Sequence, residues 1–341
     1  MLYGLDDIII IPSAVTNIEH RGDCSVNYSE TGMLPLFTAP MASVINDKNW
    51  ELYDRCQINT IIPRTIGYDT RLKLCDKTFV AMGLEEFSDF INETDLKGTV
   101  KICLDIANGH MKKAIDLCAK AKEKFGDNLI LMAGNIANPD TYIEYARAGV
   151  DYIRISQGNG SVCLTSSNSG AHVPMASLIM SCAEKKKDVE YYKEQIPAYK
   201  SVPKIVADGG FKNFDQIIKA LALGADYVML GSIFAKSQES LVGDNVSKKK
   251  YIHKKVVERE HFGMSTHKAQ LIMGKSRDQL RTSEGISVML PVEYKLATWV
   301  DNFKHYLREA MSLTNIKSIE EFIGKPVIDY ITPSAYFSYY K

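Results

Sequence analysis

Apolar runs recur along this chain with helix-like stretches between them, and that alternation limits the folds open to it more than any other feature. After an opening Ile8–Ile11, the runs are Leu34–Ala39, Thr60–Ile62, Phe79–Met82, Lys101–Asp105, Leu129–Ala133, Tyr152–Ile155, Lys204–Asp208 and Tyr227–Leu230. Continuously apolar runs read as strands covered on both faces, the situation of a parallel sheet whose crossovers are helices. Phe214–Leu223 sets Phe214, Ile217, Ile218 and Leu221 on one helical face, and Gly224 stops it. Asn138 and Pro139 cap and open a helix through Arg147 that ends near Gly149, and Met111–Phe125 is a third. Thr298–Leu313 directs Trp299, Phe303, Tyr306, Leu307 and Ala310 one way and closes the series. Eight strand–helix units, with no run left to reverse the strand order, predict one (β/α)8 barrel over 1–341 rather than an open doubly wound sheet.

Composition narrows the partners. Lys plus Arg and Asp plus Glu both number 41 in 341 residues, which recommends neither nucleic acid nor a membrane surface. The runs Lys185–Lys187 and Lys248–Lys250 read as solvated helix ends or loops. Seven cysteines are scattered without a C-x-x-C pair, which argues against zinc and disulfides and for a reducing, cytoplasmic setting. Asp6 and Asp7 follow Met1 too closely for a signal peptide, and no apolar run approaches the ~18 residues that span a bilayer.

In such a barrel the chemistry gathers where strands end and the following loops begin. Polar groups and glycines concentrate there: Ala39–Met41, Pro63–Arg64, Asp105–Gly109, Ala133–Asn135, Asp208–Gly210 and Gly231–Ser232. The sixth such loop, Gln157–Thr165, puts Cys163 among glycines two residues before Thr165. Gly158 and Gly160 let that backbone approach a ligand or take positive φ. A thiol near backbone N–H groups can serve as a nucleophile. Gly209, Gly210, Gly231 and Ser232 offer N–H groups and a hydroxyl suited to a phosphate, and Asp208 suits the hydroxyls of a ribose. These residues point to a nucleoside monophosphate beside Cys163. Residues 241–297 interrupt the pattern and read as a flap or lid within the barrel. His110, His172 and His261 lie near predicted loops and are assigned no catalytic role, and His253, His267 and His305 show no metal-ligand spacing.

The segments Thr38–Met41, Cys103–Gly109, Met132–Asn135, Gly158–Thr165, Asp208–Gly210, Val228–Ser232, Phe262–Thr266 and Arg281–Gly285, in this order, resemble the IMP dehydrogenase/GMP reductase family. The resemblance implies that Cys163 bonds to C2 of the purine and that Thr165 and Glu284 manage the leaving amine or the water. It assigns Ser161, Gly210 and Ser232 to the 5′-phosphate, Asp208 to the ribose, and Met264, Ser265, Arg281 and Ser283 to the purine. Asp105, Asn108 and Gly109 would face the nicotinamide, and Arg64 a phosphate of the cofactor. It further implies a monovalent cation such as K+ on carbonyls of Gly158, Gly160 and Cys163, and a homotetramer. An acid that keeps its proton at neutral pH asks for burial of Glu284.

Within the family the reductase fits better. Regulatory CBS modules sit between the second and third barrel units of many dehydrogenases, and here Arg64 and Thr78 leave no room for them. Between Gly263 and Glu284 stand Arg277 and Arg281 but no tyrosine, the partner that dehydrogenases use to activate water. The expected reaction is therefore reduction of GMP to IMP and ammonia with NADPH. A dehydrogenase without CBS modules acting on IMP and NAD, a relative acting on a modified purine nucleotide, and a non-catalytic purine-nucleotide sensor are the alternatives. Departures from the reductase pattern are Ser166–Asn168 where an Arg follows the threonine, Pro63–Arg64 for His-Lys, and His261–Phe262 where a tyrosine stands. They bear on cofactor and purine identity.

Overall fold

The computed structural model describes residues 1–243, 249–250 and 257–339. Lys248 and His253, and with them part of the 241–297 segment, lie outside the described residues. The opening run becomes β1 (Ile8–Ile10) and stays outside the barrel. The barrel strands are β2 (Leu36–Thr38), β3 (Ile61–Ile62), β4 (Phe79–Met82), β5 (Val100–Asp105), β6 (Leu129–Ile136), β7 (Tyr152–Ile155), β8 (Lys204–Asp208) and β9 (Tyr227–Leu230). All seven pairings along the order β2-β9-β8-β7-β6-β5-β4-β3 are parallel. A bridge between Phe37 and Asn59 joins β2 to the residues before β3, so the sheet closes as the expected (β/α)8 barrel.

That closure is the narrowest seam of the barrel. Thr38 N donates to Asn59 O at 2.9 Å, Asn59 N to Leu36 O at 3.1 Å, and Ile61 N to the hydroxyl of Thr38 at 3.1 Å. Thr38 is fully buried, so its hydroxyl completes a ladder that the short β3 cannot complete alone.

The end of the barrel where strands begin is plugged by rings. Phe79, Tyr152 and Tyr227 are the first residues of β4, β7 and β9, and Phe37 sits 5.0–5.9 Å from all three in edge-on contacts. Lys204, first in β8, holds its ammonium 5.6 Å from the Tyr28 ring and 6.0 Å from those of Tyr152 and Tyr227. Such cation–ring contacts stabilise a charge in an apolar setting. The plug fills this end of the barrel.

The helices follow the sequence closely. Phe214–Leu223 ends at Gly224 with φ +114°, and the helix Asp140–Ala148 starts one residue later than expected, with Pro139 at its N-cap and Asn138 Oδ1 accepting from Asp140 N at 2.9 Å. On the helix Leu296–Leu313 the expected apolar face holds for Trp299, Phe303 and Leu307, whereas Tyr306 is 49% exposed, its ring 5.2 Å from that of Phe214. Lys186 is not simply solvated: it pairs with Asp226 at 2.6 Å, and Asp226 accepts from Ile205 N on β8.

After β9 the chain carries β10 (Lys249–Lys250), β11 (Val257–Phe262) and β12 (Ser287–Pro291), an antiparallel sheet of its own, with the helix His267–Ile272 between the last two. β13 (Ile328–Tyr330) returns to pair with β1. Thr38→Val keeps the side-chain shape but leaves the Ile61 N–H unpaired at the seam. It is expected to cost about 1–3 kcal/mol, read as a lower urea midpoint at an unchanged slope, while Thr38→Ser keeps the bond.

Candidate active site

The ends of the barrel strands surround a cavity of ≈ 570 Å³. That size is ample for a nucleotide-scale ligand. Loop ends from both halves of the barrel line it, and so do Gly263, Met264, Ser265 and Glu284 from the segment after β9.

A chain of buried charge forms its floor. Arg154, inside the apolar run of β7, is only 5% exposed. Its Nη1 donates to Asp105 Oδ1 at 2.6 Å and its Nη2 to Asp208 Oδ2 at 2.8 Å. Arg64 Nε donates to the other Asp105 oxygen at 3.2 Å, and Asn135 Nδ2 to Asp208 Oδ2 at 2.8 Å. Two arginines and two aspartates thus neutralise one another across the mouth of the barrel. Burial alone would raise the Asp105 carboxyl, but the Arg154 and Arg64 guanidiniums bring it below its ordinary value. Burial likewise opposes the charge on Arg154, and Asp208, Cys103 and Asp105 outweigh it and hold the guanidinium protonated. Cys103, behind Arg154, is pushed up to about 12 by burial, partly countered by Arg154, and is no nucleophile.

Cys163 differs from the other thiols in facing the cavity. Its sulfur lies 3.4 Å from the Thr165 hydroxyl, which lies 3.5 Å from Glu284 Oε2. The loop and the segment after β9 are stitched together at this point. Leu164 N donates to Glu284 O at 2.9 Å and Ile286 N to Val162 O at 3.0 Å, with a bridge between Cys163 and Gly285. Gly263 and Gly285 permit this approach, since a Cβ on either would stand 3.0–3.1 Å from the Val162 carbonyl oxygen. Gly158 takes φ +77° and its missing Cβ would collide with Ser166 at 2.6 Å; Gly160 has neither constraint. Glu284 itself is exposed, contrary to the expected burial, because it ends a surface loop whose backbone, not its carboxylate, is clamped.

The structure brings most of the expected residues to one cavity: Arg64, Asp105, Asn108, Ser161, Cys163, Thr165, Asp208, Gly209, Gly210, Gly231, Ser232, Met264, Ser265 and Glu284 all line it. Arg281, Ser283 and Gly109 do not. Arg281 is exposed, and its backbone is tied to Gln270 by a 2.9 Å bond. The Ser283 hydroxyl turns back to Gly285 O at 3.0 Å. Gly109 is buried with its N–H on Asn135 O, where a Cβ would meet that oxygen at 2.7 Å, so it positions β6 instead of a ligand. The carbonyls of Gly158 and Gly160 already accept from the Ser166 hydroxyl and Cys163 N. No group of three or more His, Cys, Asp or Glu side chains is placed to hold a metal ion among the described residues, and none of the described helices is long and apolar enough to cross a membrane.

Two titratable lining residues were given no role by the sequence reading. Arg154 was legible as a charge inside a fully apolar strand, a position charged residues rarely take without partners. His261, assigned no role above, lies on β11, is 1% exposed and lines the cavity. His110, by contrast, is structural: Ala137 N donates to its Nε2 at 3.1 Å and its Nδ1 meets the Thr141 hydroxyl at 2.9 Å.

Residues 80–337 match the family model described as IMP dehydrogenase / GMP reductase domain. The chain is 28% identical over 313 residues to a GMP reductase of Onchocerca volvulus, covering 91% of this chain and 78% of that protein. It is 31% identical over 230 residues to an inosine-5′-monophosphate dehydrogenase of Chlorobaculum tepidum, covering 66% of this chain but only 44% of the relative. Human GMP reductase 2 matches at 28% over 225 residues, 65% of this chain and 56% of the relative.

Removing the central cation leaves Asp105 with Arg64 alone and Asp208 with only the Asn135 amide. Arg154→Met is expected to lower stability at neutral pH by about 3–5 kcal/mol in urea denaturation. The pH dependence should also weaken. Wild-type stability falls as pH drops through the lowered value of Asp105, and the variant, which lacks the larger of the two guanidinium contributions to that lowering, should lose less over the same acid range.

Proposed function

We propose that this chain, which belongs to the IMP dehydrogenase / GMP reductase family, reduces GMP with NADPH and two protons to IMP, ammonium and NADP+. The observation that carries the reading is the line Cys163 Sγ, Thr165 Oγ1, Glu284 Oε2, with steps of 3.4 and 3.5 Å, at a cavity whose other wall is Gly209–Gly210 and Gly231–Ser232. A thiolate is a strong nucleophile toward the electron-poor C2 of a purine. Its addition there turns one difficult exchange into two steps. The amine departs as the Glu284–Thr165 pair delivers protons to it, and the Cys163 sulfur remains bonded to C2 until that carbon is reduced. The purine then leaves and Cys163 is restored.

The reduced nicotinamide, when bound, supplies the hydride that C2 receives. Asn108 fits its carboxamide: the side-chain oxygen is occupied by His110 N at 3.1 Å, while the amide nitrogen has no hydrogen bond among the described residues and the side chain is exposed at the cavity mouth. Arg64, 29% exposed, lines the same cavity and pairs with Asp105. In the phosphate subsite Ser161, Gly210, Gly231 and Ser232 supply donors, and Asp208 Oδ1, the oxygen that Arg154 and Asn135 leave open, accepts from the ribose. Met264 and Ser265 hold the purine; Arg281 and Ser283 reach it only if their loop rearranges. A K+ ion on the carbonyls of Gly158, Gly160 and Cys163, a homotetramer and a cytoplasmic location belong to the same reading. Seven free thiols agree with a reducing compartment.

The dehydrogenase direction is the second reading, favoured by the Chlorobaculum relative. The two separate in an absorbance assay. GMP should oxidise NADPH and release IMP; silence with GMP, together with NAD reduction by IMP, would establish the dehydrogenase. Glu284→Gln should lower kcat by about 10²–10⁴-fold with little change in KM, the range of a lost general acid. A sensor would bind nucleotide with Cys163→Ala in place and turn over no purine at all.

A further inference from the structure

We propose that Gln270 is a positioning residue of the site: its buried carboxamide fixes the main chain that aims Glu284 at Thr165. The proposal rests on the functional reading above for the proton that Glu284 delivers. Its own basis is the hydrogen bonding of one side chain.

Gln270 lies on the helix His267–Ile272 and is 5% exposed. Its Nε2 donates to Ser265 O and to Arg281 O, each at 3.0 Å, and its Oε1 accepts from Arg281 N at 2.9 Å. Two carbonyls on one side and an N–H on the other admit one orientation of the amide, so the partners themselves assign its nitrogen and oxygen. Meeting both the N–H and the C=O of Arg281 copies the paired bonds of an antiparallel ladder. Arg281 precedes β12, which begins at Ser287, so a side chain does here what a neighbouring strand does further on. Ser265 lines the cavity, and the same nitrogen ties it to the run that leads into Glu284.

The helix that carries Gln270 is itself anchored. Thr266 Oγ1 accepts from Ala269 N at 3.2 Å and donates to Gly263 O at 2.7 Å, and Gly263 N donates to Ile286 O at 3.3 Å. Leu164 N on Glu284 O and Ile286 N on Val162 O fix the far side of the run. Glu284 therefore follows one anchor, Arg281, by only Thr282 and Ser283, and is itself part of the other. Both anchors matter because the Glu284 side chain is exposed, so burial does not hold its carboxylate 3.5 Å from the Thr165 hydroxyl. A carboxylate in that setting is aimed by its backbone. An apolar side chain at position 270 would leave Arg281 N and Ser265 O without the amide, whereas Arg281 O would keep His267 Nε2 at 3.1 Å.

A double-mutant cycle separates aiming from simple folding. kcat and KM for GMP reduction are measured at neutral pH for the wild type, Gln270→Met, Glu284→Gln and the double variant. Gln270→Met keeps the length of the side chain and loses all three hydrogen bonds; Gln270→Asn, one methylene shorter, takes its place where the first does not fold. The expected result for Gln270→Met is a kcat lower by about 10–100-fold, the scale of a reacting group displaced by a fraction of its reach, with KM for GMP little changed. Adding Gln270→Met to Glu284→Gln should cost almost nothing more, because no acid is left to aim. Equal losses in the two backgrounds, or a raised KM at unchanged kcat, would overturn the proposal. The cycle also tells this proposal from the functional reading. Equal losses in a protein that reduces GMP overturn the proposal alone. Turnover of IMP with NAD in place of GMP overturns the functional reading, and the same cycle, read on IMP oxidation, then decides the proposal by the same criterion. A protein that turns over neither nucleotide overturns both.

Discussion

The doubly paired Arg154 is the constraint on which the site depends. It sits in the middle of the barrel mouth, where β5, β7 and β8 end together, and takes one oxygen from each of two aspartates. Without it Asp105 and Asp208 would repel each other with only Arg64 and Asn135 to offset their charge. With it the floor is neutral, and one oxygen of Asp208 stays open to a ligand. Arg64 and Asn135 extend the pairing outward, so four loop ends are held in one register by side chains. The backbone ladders reach the same layer, pairing Asp105 with Gly134, Arg154 with Val206 and Asp208 with Met229. The positions of the reactive groups above it are therefore set by electrostatics as much as by the sheet.

Above the floor, the reactive line is held by main chain. Cys163 and Thr165 belong to the loop after β7, and Glu284 to a segment more than a hundred residues later. Two backbone hydrogen bonds and the glycines around the Val162 carbonyl join them. The segment after β9 is thus tied to the Cys163 loop through main chain on both sides of Cys163.

The barrel was legible because its strands are apolar on both faces and its helices carry caps and stops at readable places. The strand ends were legible for a chemical reason, since a ligand at a barrel mouth needs donors and close backbone approach and glycine supplies both. What failed depended on side-chain direction. Arg281 and Ser283 belong to a run that resembles a purine site, yet local hydrogen bonds to Gln270 and Gly285 turn them away from the cavity. Glu284 was expected to be buried because its chemistry asks for it, and it is exposed because only its backbone is clamped. His261 was read only as a departure from the family pattern and given no catalytic role, because nothing in its neighbourhood in sequence shows that β11 enters the cavity wall. Arg154 could have been found: an arginine between two isoleucines in a strand has few explanations other than buried carboxylates across the barrel.

The central claim is that the Cys163 sulfur bonds to the purine. Intact-protein mass spectrometry after acid quench of the enzyme mixed with GMP tests it directly. An added mass equal to the nucleotide less ammonia, mapping to the peptide that carries Cys163 and lost on addition of reduced cofactor, is the predicted result. Turnover of GMP with no adduct under any quench, or an adduct on another cysteine, would contradict it.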